Sequence, residues 1–153
     1  MKITEFVRED LIVPELAARD KAGVIEELAI RLSERVPALQ KDALIRVLME
    51  REKLASTAIG EGVAIPHGKL DGAGQLLAAI GRSKEGVDFE SMDGRPTHIF
   101  FVLVAPENST GAHLKALARI SRLFKSSEFR DRLMAAEGAA DLYRIISEED
   151  AKY

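Results

Sequence analysis

One seven-residue run, Ile99-Phe100-Phe101-Val102-Leu103-Val104-Ala105, restricts the fold more than any other part of the chain. It is apolar at every position, and its length and its Ile, Phe and Val content read as a strand. Both faces of such a strand must be covered, so residues 98–105 predict a central strand between two layers. A second strand is predicted over residues 76–81. Leu11-Ile12-Val13-Pro14 reads as a short edge strand closed by its proline. Val87-Asp88-Phe89 reads as a short strand, and the five residues from Met92 to Pro96 as a turn.

Helical spacing accounts for most of the remainder. Asp20 is a plausible N-cap for a helix over residues 21–34, with Ile25, Leu28, Ala29 and Leu32 on one face. Pro37 separates it from a helix over residues 41–53. A helix beginning at Ser109 or Thr110 runs to about Lys125, and shorter ones are expected near 127–136 and 139–147. Helices on both sides of strands predict a three-layer α/β/α arrangement with a mixed, mostly buried central sheet. No repeat or linker interrupts the 153 residues, which read as one domain, 1–153.

Composition narrows the chemistry. With no cysteine, the chain has no disulfides, no thiol nucleophile and no Cys-ligated metal. A formal net charge of -3 without any basic run offers no footprint for nucleic acid. Nothing approaches the roughly 20 apolar residues needed to cross a bilayer, and the N-terminus lacks a signal peptide's apolar core. We therefore expect a soluble, cytoplasmic protein without membrane insertion.

Glycine density rises in the middle of the chain, where Gly60, Gly62, Gly68, Gly72 and Gly74 fall within fifteen positions. Within this segment Val63-Ala64-Ile65 reads as a short strand that must stop at Pro66, followed by His67 and Gly68. A histidine held between proline and glycine presents an exposed imidazole on a stiff base, as a nucleophile requires. By itself, Pro-His-Gly reads more readily as a plain surface turn. The Gly68-Lys69 pair does not make a nucleotide loop: five residues separate Gly62 from Gly68, and Leu70 stands where a magnesium-binding hydroxyl is needed.

Two further residues sit oddly. Arg51 lies on the stripe defined by Leu44, Val47 and Leu48, whereas Arg46, Glu50 and Lys53 face the other way. An arginine there needs an anion, either a structural carboxylate or a bound phosphate. His113 projects roughly 40° from the centre of a stripe built of Leu114, Leu117, Ile120 and Phe124. It lies in the first turn of its helix, where anions are favoured, or it is a core histidine satisfied by a carbonyl. His98 reads as structural.

The sequence Arg-Glu-x-Leu-x-Ser-Thr-x-Ile-Gly-x-Gly-x-Ala-Ile-Pro-His-Gly-Lys, residues 51–69, resembles the IIA domain of the bacterial phosphotransferase system, in its fructose/mannitol and nitrogen-regulatory branch. The segments around Val87 to Pro96 and His113 to Ala118 resemble that family's later motifs in the right order. The resemblance implies a phosphocarrier that takes a phosphoryl group from a phosphohistidine of an HPr-like protein onto His67. It implies His113 and Arg51 as the histidine and arginine beside it, and no metal or cofactor. Ser56, Thr57 and the amides around Gly60 and Gly62 are further candidate phosphate donors. Departures are Ala55 and Ala58 where glycine is common, and Glu61, which adds negative charge where a neutral residue is frequent.

An isolated IIA domain with no Cys-bearing relay domain favours a nitrogen-regulatory switch, acting on a target protein. The alternative is a sugar-specific component donating phosphate to a IIB domain. A metalloenzyme built on His67 and His113 is a weaker alternative, because no short-spaced ligand pair is present.

Overall fold

A computed structural model describes all of residues 1–153. After a 3-10 turn at Ile3–Glu5, the elements are β1 (Val7–Val13), α1 (Lys21–Arg35), α2 (Lys41–Leu54), β2 (Ala58–Gly60), β3 (Val63–Ala64), β4 (His67–Lys69), β5 (Leu77–Val87), β6 (Thr97–Ala105), α3 (Thr110–Leu123), α4 (Ser127–Ala135) and α5 (Ala139–Asp150). The strands form one sheet in the order β1-β5-β6-β3-β2, with β4 also on β6. It is mixed: β1 runs parallel to β5, β3 and β4 run parallel to β6, and the β5–β6 and β2–β3 pairs are antiparallel.

β6 divides two cores by simple alternation. Ile99, Phe101 and Leu103 join Ile120, Leu123, Phe129, Leu133 and Ile145 from the α3–α5 layer. Phe100, Val102 and Val104 join Val24, Ile25, Leu28, Leu44 and Leu48 from α1 and α2. Successive strand side chains point to opposite faces, so an all-apolar run serves both layers at once. Asp20 caps α1 as expected, its carboxylate accepting from Gly23 N at 2.7 Å.

Four expectations change. β1 begins at Val7, well before Leu11, because Val7 pairs with Ala78 ahead of a register shift. β5 continues past Gly81 to Val87, and of the separate strand expected at 87–89 only Val87 is strand, at the end of β5, while Asp88 makes an isolated bridge with Asp20. A charged residue, Arg82, follows the expected end of the strand, yet it is fully buried within β5. Its guanidinium donates to the carbonyls of Pro14, Leu133 and Ala136, which makes a charge tolerable inside a sheet layer. On α3 the buried stripe is His113, Ala116, Ile120 and Leu123, while Leu114 is exposed.

The fourth change matters for the site. The chain does not leave the sheet at Pro66. Proline has no N–H to give, but its carbonyl accepts from Leu103 N at 2.9 Å, and pairing with β6 resumes at His67 as β4. Gly68 faces α2 there: a Cβ at that position would lie 2.5 Å from Val47 Cγ1. The missing side chain is what lets α2 approach β4.

Candidate functional site

The strand period places His67 and Lys69 on one face of β4 and Gly68 on the other. Gly68 is pressed against α2; His67 meets α3 on the opposite side. The His67 and His113 rings stand edge to face, with centroids 5.5 Å apart and planes at 75°. His67 Nδ1 lies 2.7 Å from the carbonyl oxygen of Ile65. A carbonyl can only accept, so Nδ1 carries the hydrogen and Nε2 keeps a free lone pair. The imidazole is half-buried, not exposed as the Pro-His-Gly context suggests, because β4 lies within the sheet.

Burial is the main force holding the His67 pKa below its ordinary 6.5, helped by the Arg51 guanidinium and opposed by the Ile65 carbonyl and Glu52. His113 is also held below 6.5, first by burial and then by the neighbouring His67 and Lys69. Both rings are therefore neutral near pH 7. His113 Nε2 is buried without a hydrogen-bond partner. Lys69 Nζ donates to Thr110 Oγ1 at 2.6 Å, at the positive end of α3. Arg51 forms no ion pair; its Nη1 donates to Ala55 O at 2.9 Å across the C-terminal turn of α2. A lone-pair nitrogen, a second imidazole, a lysine and an arginine with donors to spare are groups whose chemistry can meet an oxyanion. No group of three or more His, Asp or Glu side chains converges anywhere in the fold.

Residues 5–149 match the family described as "Phosphoenolpyruvate-dependent sugar phosphotransferase system, EIIA 2". The chain belongs to this family. As an EIIA chain it is a component of phosphoryl transfer. It is 40% identical over 147 residues to a "Nitrogen regulatory protein" of Bradyrhizobium diazoefficiens, covering 96% of this chain and 95% of that one. It is 38% identical over 150 residues to the "PTS system fructose-specific EIIABC component" of Bacillus subtilis, covering 98% of this chain but 24% of that protein. Its fold matches the crystal structure of "Nitrogen Regulatory Protein IIA-Ntr" from Neisseria meningitidis with a TM-score of 0.87 at 35% identity, over 94% of this chain and 98% of that one. It also matches IIA mannitol from Escherichia coli, with a TM-score of 0.74 at 19% identity over 90% and 96% of the two chains, a likeness of fold alone.

Of the residues singled out in the EIIA sequence, His67 and His113 are in ring contact and the Arg51 guanidinium is near enough for its charge to act on His67. The other four are engaged elsewhere or lie apart. Ser56 Oγ is occupied, donating to Phe89 O and accepting from Ala58 N. Thr57 is buried, and both its amide and its hydroxyl donate to Glu52. Gly60 and Gly62 take positive φ at the β2–β3 turn. Gly62 O accepts from His98 N and Ile99 N, whereas His67 is paired with Leu103. Ile99 and Leu103 are four residue steps apart along β6, about 13 Å, so the glycine amides sit away from the imidazole. Glu61 shares that turn and pairs with Arg95 and Arg130, so its charge is not at His67. His98 Nδ1 lies 2.9 Å from Ser83 O, in keeping with a structural part.

Two residues of this EIIA site escaped the sequence reading. Lys69 needed β4 to be recognised as a strand, since only then do residues 67 and 69 share a face. Glu52 continues the Leu44–Leu48 stripe by four residues and is buried with them. That spacing was the available signal.

Proposed function

We propose that this EIIA chain accepts a phosphoryl group on Nε2 of His67 from the phosphohistidine of an HPr-like carrier, and that the phosphorylated form serves as a nitrogen-regulatory switch. The observation that carries the reading is the 2.7 Å contact between His67 Nδ1 and Ile65 O, which leaves Nε2 as the ring's only nucleophilic nitrogen. In the reaction the donor's N–P bond breaks and its imidazole departs with the bond's electron pair, while a bond forms from His67 Nε2 to phosphorus. The Nδ1 proton stays on the ring, held by Ile65. Charge on the peripheral oxygens is met by Arg51, His113 and Lys69, and little other covalent work is asked of the protein. The orphan Nε2 of the buried His113 supports the same reading.

The regulatory branch is favoured by likeness to the nitrogen regulatory proteins along nearly their whole length. The second reading, donation to the relay domain of a sugar transporter, rests on likeness to the fructose-specific component. The setting we propose is the cytoplasm, where HPr-like donors operate; no helix here is long and apolar enough to cross a membrane.

Incubation with labelled phosphoenolpyruvate and the purified relay enzymes should place one acid-labile phosphate on His67 and none on a His67→Ala variant. Stoichiometric label on that variant overturns the reading. Adding a IIB domain then separates the branches: loss of label to it supports the sugar-specific reading, and retention with target binding supports the switch.

A further inference from the structure

A carboxylate lies buried behind the site. The Glu52 side chain is 2% exposed, in the last turn of α2 and next in sequence to Arg51. One oxygen, Oε1, accepts from Thr57 N at 3.2 Å and lies 3.2 Å from Lys21 Nζ of α1; the other accepts from Thr57 Oγ1. Thr57 passes the restraint on: its carbonyl accepts from Ile65 N at 3.0 Å. The Ile65 carbonyl in turn holds His67 Nδ1. An unbroken hydrogen-bonded path thus leads from a buried anion to the contact that selects the nucleophilic nitrogen.

We propose that Glu52 is a positioning residue for His67, holding through Thr57 the Ile65 carbonyl that fixes the imidazole and offsetting the positive charge of Arg51. The inference rests on His67 being the phosphoryl acceptor. Charged and titratable groups acting on His67 are Arg51 and Glu52 from α2, with the His113 ring of α3 against it, and Lys69 of β4 acts on His113. Those two α2 neighbours act on the imidazole with opposite sign. Glu52 is itself faced by Lys21, which also reaches Glu90 and lies over the Phe89 ring. Burial makes the arrangement effective: a carboxylate shielded from water acts on its neighbours more strongly than an exposed one. A carboxylate that only clasped α2 to β2 would do so without changing the state of the imidazole, and the two cases are separable.

Glu52→Gln keeps the size and one accepting oxygen and removes the charge. In the unphosphorylated full chain, imidazole NMR should show the His67 titration midpoint lowered by at least about 0.5 pH unit, since the anion that favours imidazolium is gone. Phosphorylation by the phosphorylated carrier should slow about tenfold at pH 7.5, where the ring is neutral in either protein, through poorer alignment. Thr57→Val retains the carboxylate and cuts the hydroxyl link, so it should slow transfer and leave the midpoint near wild type. Glu52→Asp should bring the midpoint back. Wild-type midpoint, tautomer and transfer rate in Glu52→Gln overturn the proposal, and so does a change confined to melting temperature. Should Glu52→Gln fail to fold, wild-type transfer by Thr57→Val overturns it instead. Absence of label on wild-type His67 overturns the phosphocarrier reading, and the titration then decides separately whether Glu52 governs His67.

Discussion

His67 Nδ1 faces a carbonyl, and that single contact decides which nitrogen is free to form a bond. Burial adds the second requirement, a neutral ring at working pH. Phosphoryl acceptance should therefore fall to half its maximum below pH 6.5, the ordinary value of a free imidazole. A pH–rate profile checks this; a half-maximal point at or above 6.5 counts against it. His113 is the first residue of its helix's buried stripe, with one nitrogen unpaired. His113→Ala should leave the far-ultraviolet circular dichroism unchanged and slow transfer roughly a hundredfold, the usual cost of removing one preorganised donor. Transfer at the wild-type rate would remove His113 from the mechanism.

Between elements, the tightest fit is that of β4 against α2. Valine is branched at Cβ and cannot swing its Cγ1 far aside, so a methyl group at residue 68 must push the helix or the strand. Gly68→Ala should cost about 1–3 kcal/mol in denaturant unfolding, as overpacked sites do. The same shift would displace Arg51, one turn beyond Val47, and slow phosphorylation. Val47→Ala in the Gly68→Ala background should recover most of both losses; no recovery would mean the strain lies elsewhere. At the start of α1, Asp20→Ala removes the cap on Gly23 and should cost about 1 kcal/mol by the same measurement.

For the molecule as a whole, two buried imidazoles link stability to pH. Their folded pKa values lie below 6.5 while the unfolded chain titrates at 6.5. Across that interval the unfolded state binds more protons, so the stability they contribute is complete above about pH 6.5 and is lost as pH falls through the folded values. Asp10, Asp93 and Asp141 are held below 3.8 and Glu148 below 4.5, so they act in a lower window. Melting temperature should decline between pH 7 and 5, and less steeply in a His67→Ala/His113→Ala double variant. Parallel slopes in the two proteins would contradict this linkage.

Periodicity and turn chemistry are local, and they alone were enough to place the central strand, five helices, the Asp20 cap and the layered arrangement. Residue type at short spacing marked His67, Arg51 and His113 as unusual, and only the resemblance carried by residues 51–69 and 113–118 gave them a part in a site. Tertiary structure decided the rest, because each outcome depends on which distant groups become neighbours. Arg82 lies inside a strand only because three carbonyls from two other segments surround it, and His67 belongs to a strand only because Leu103 is there to pair with it. Nearness in sequence misled for Gly60 and Gly62, since an extended chain carries them away from the imidazole. Glu52, silent in the sequence reading, gains its place beside the site from contacts with Thr57 and Lys21 that only folding creates.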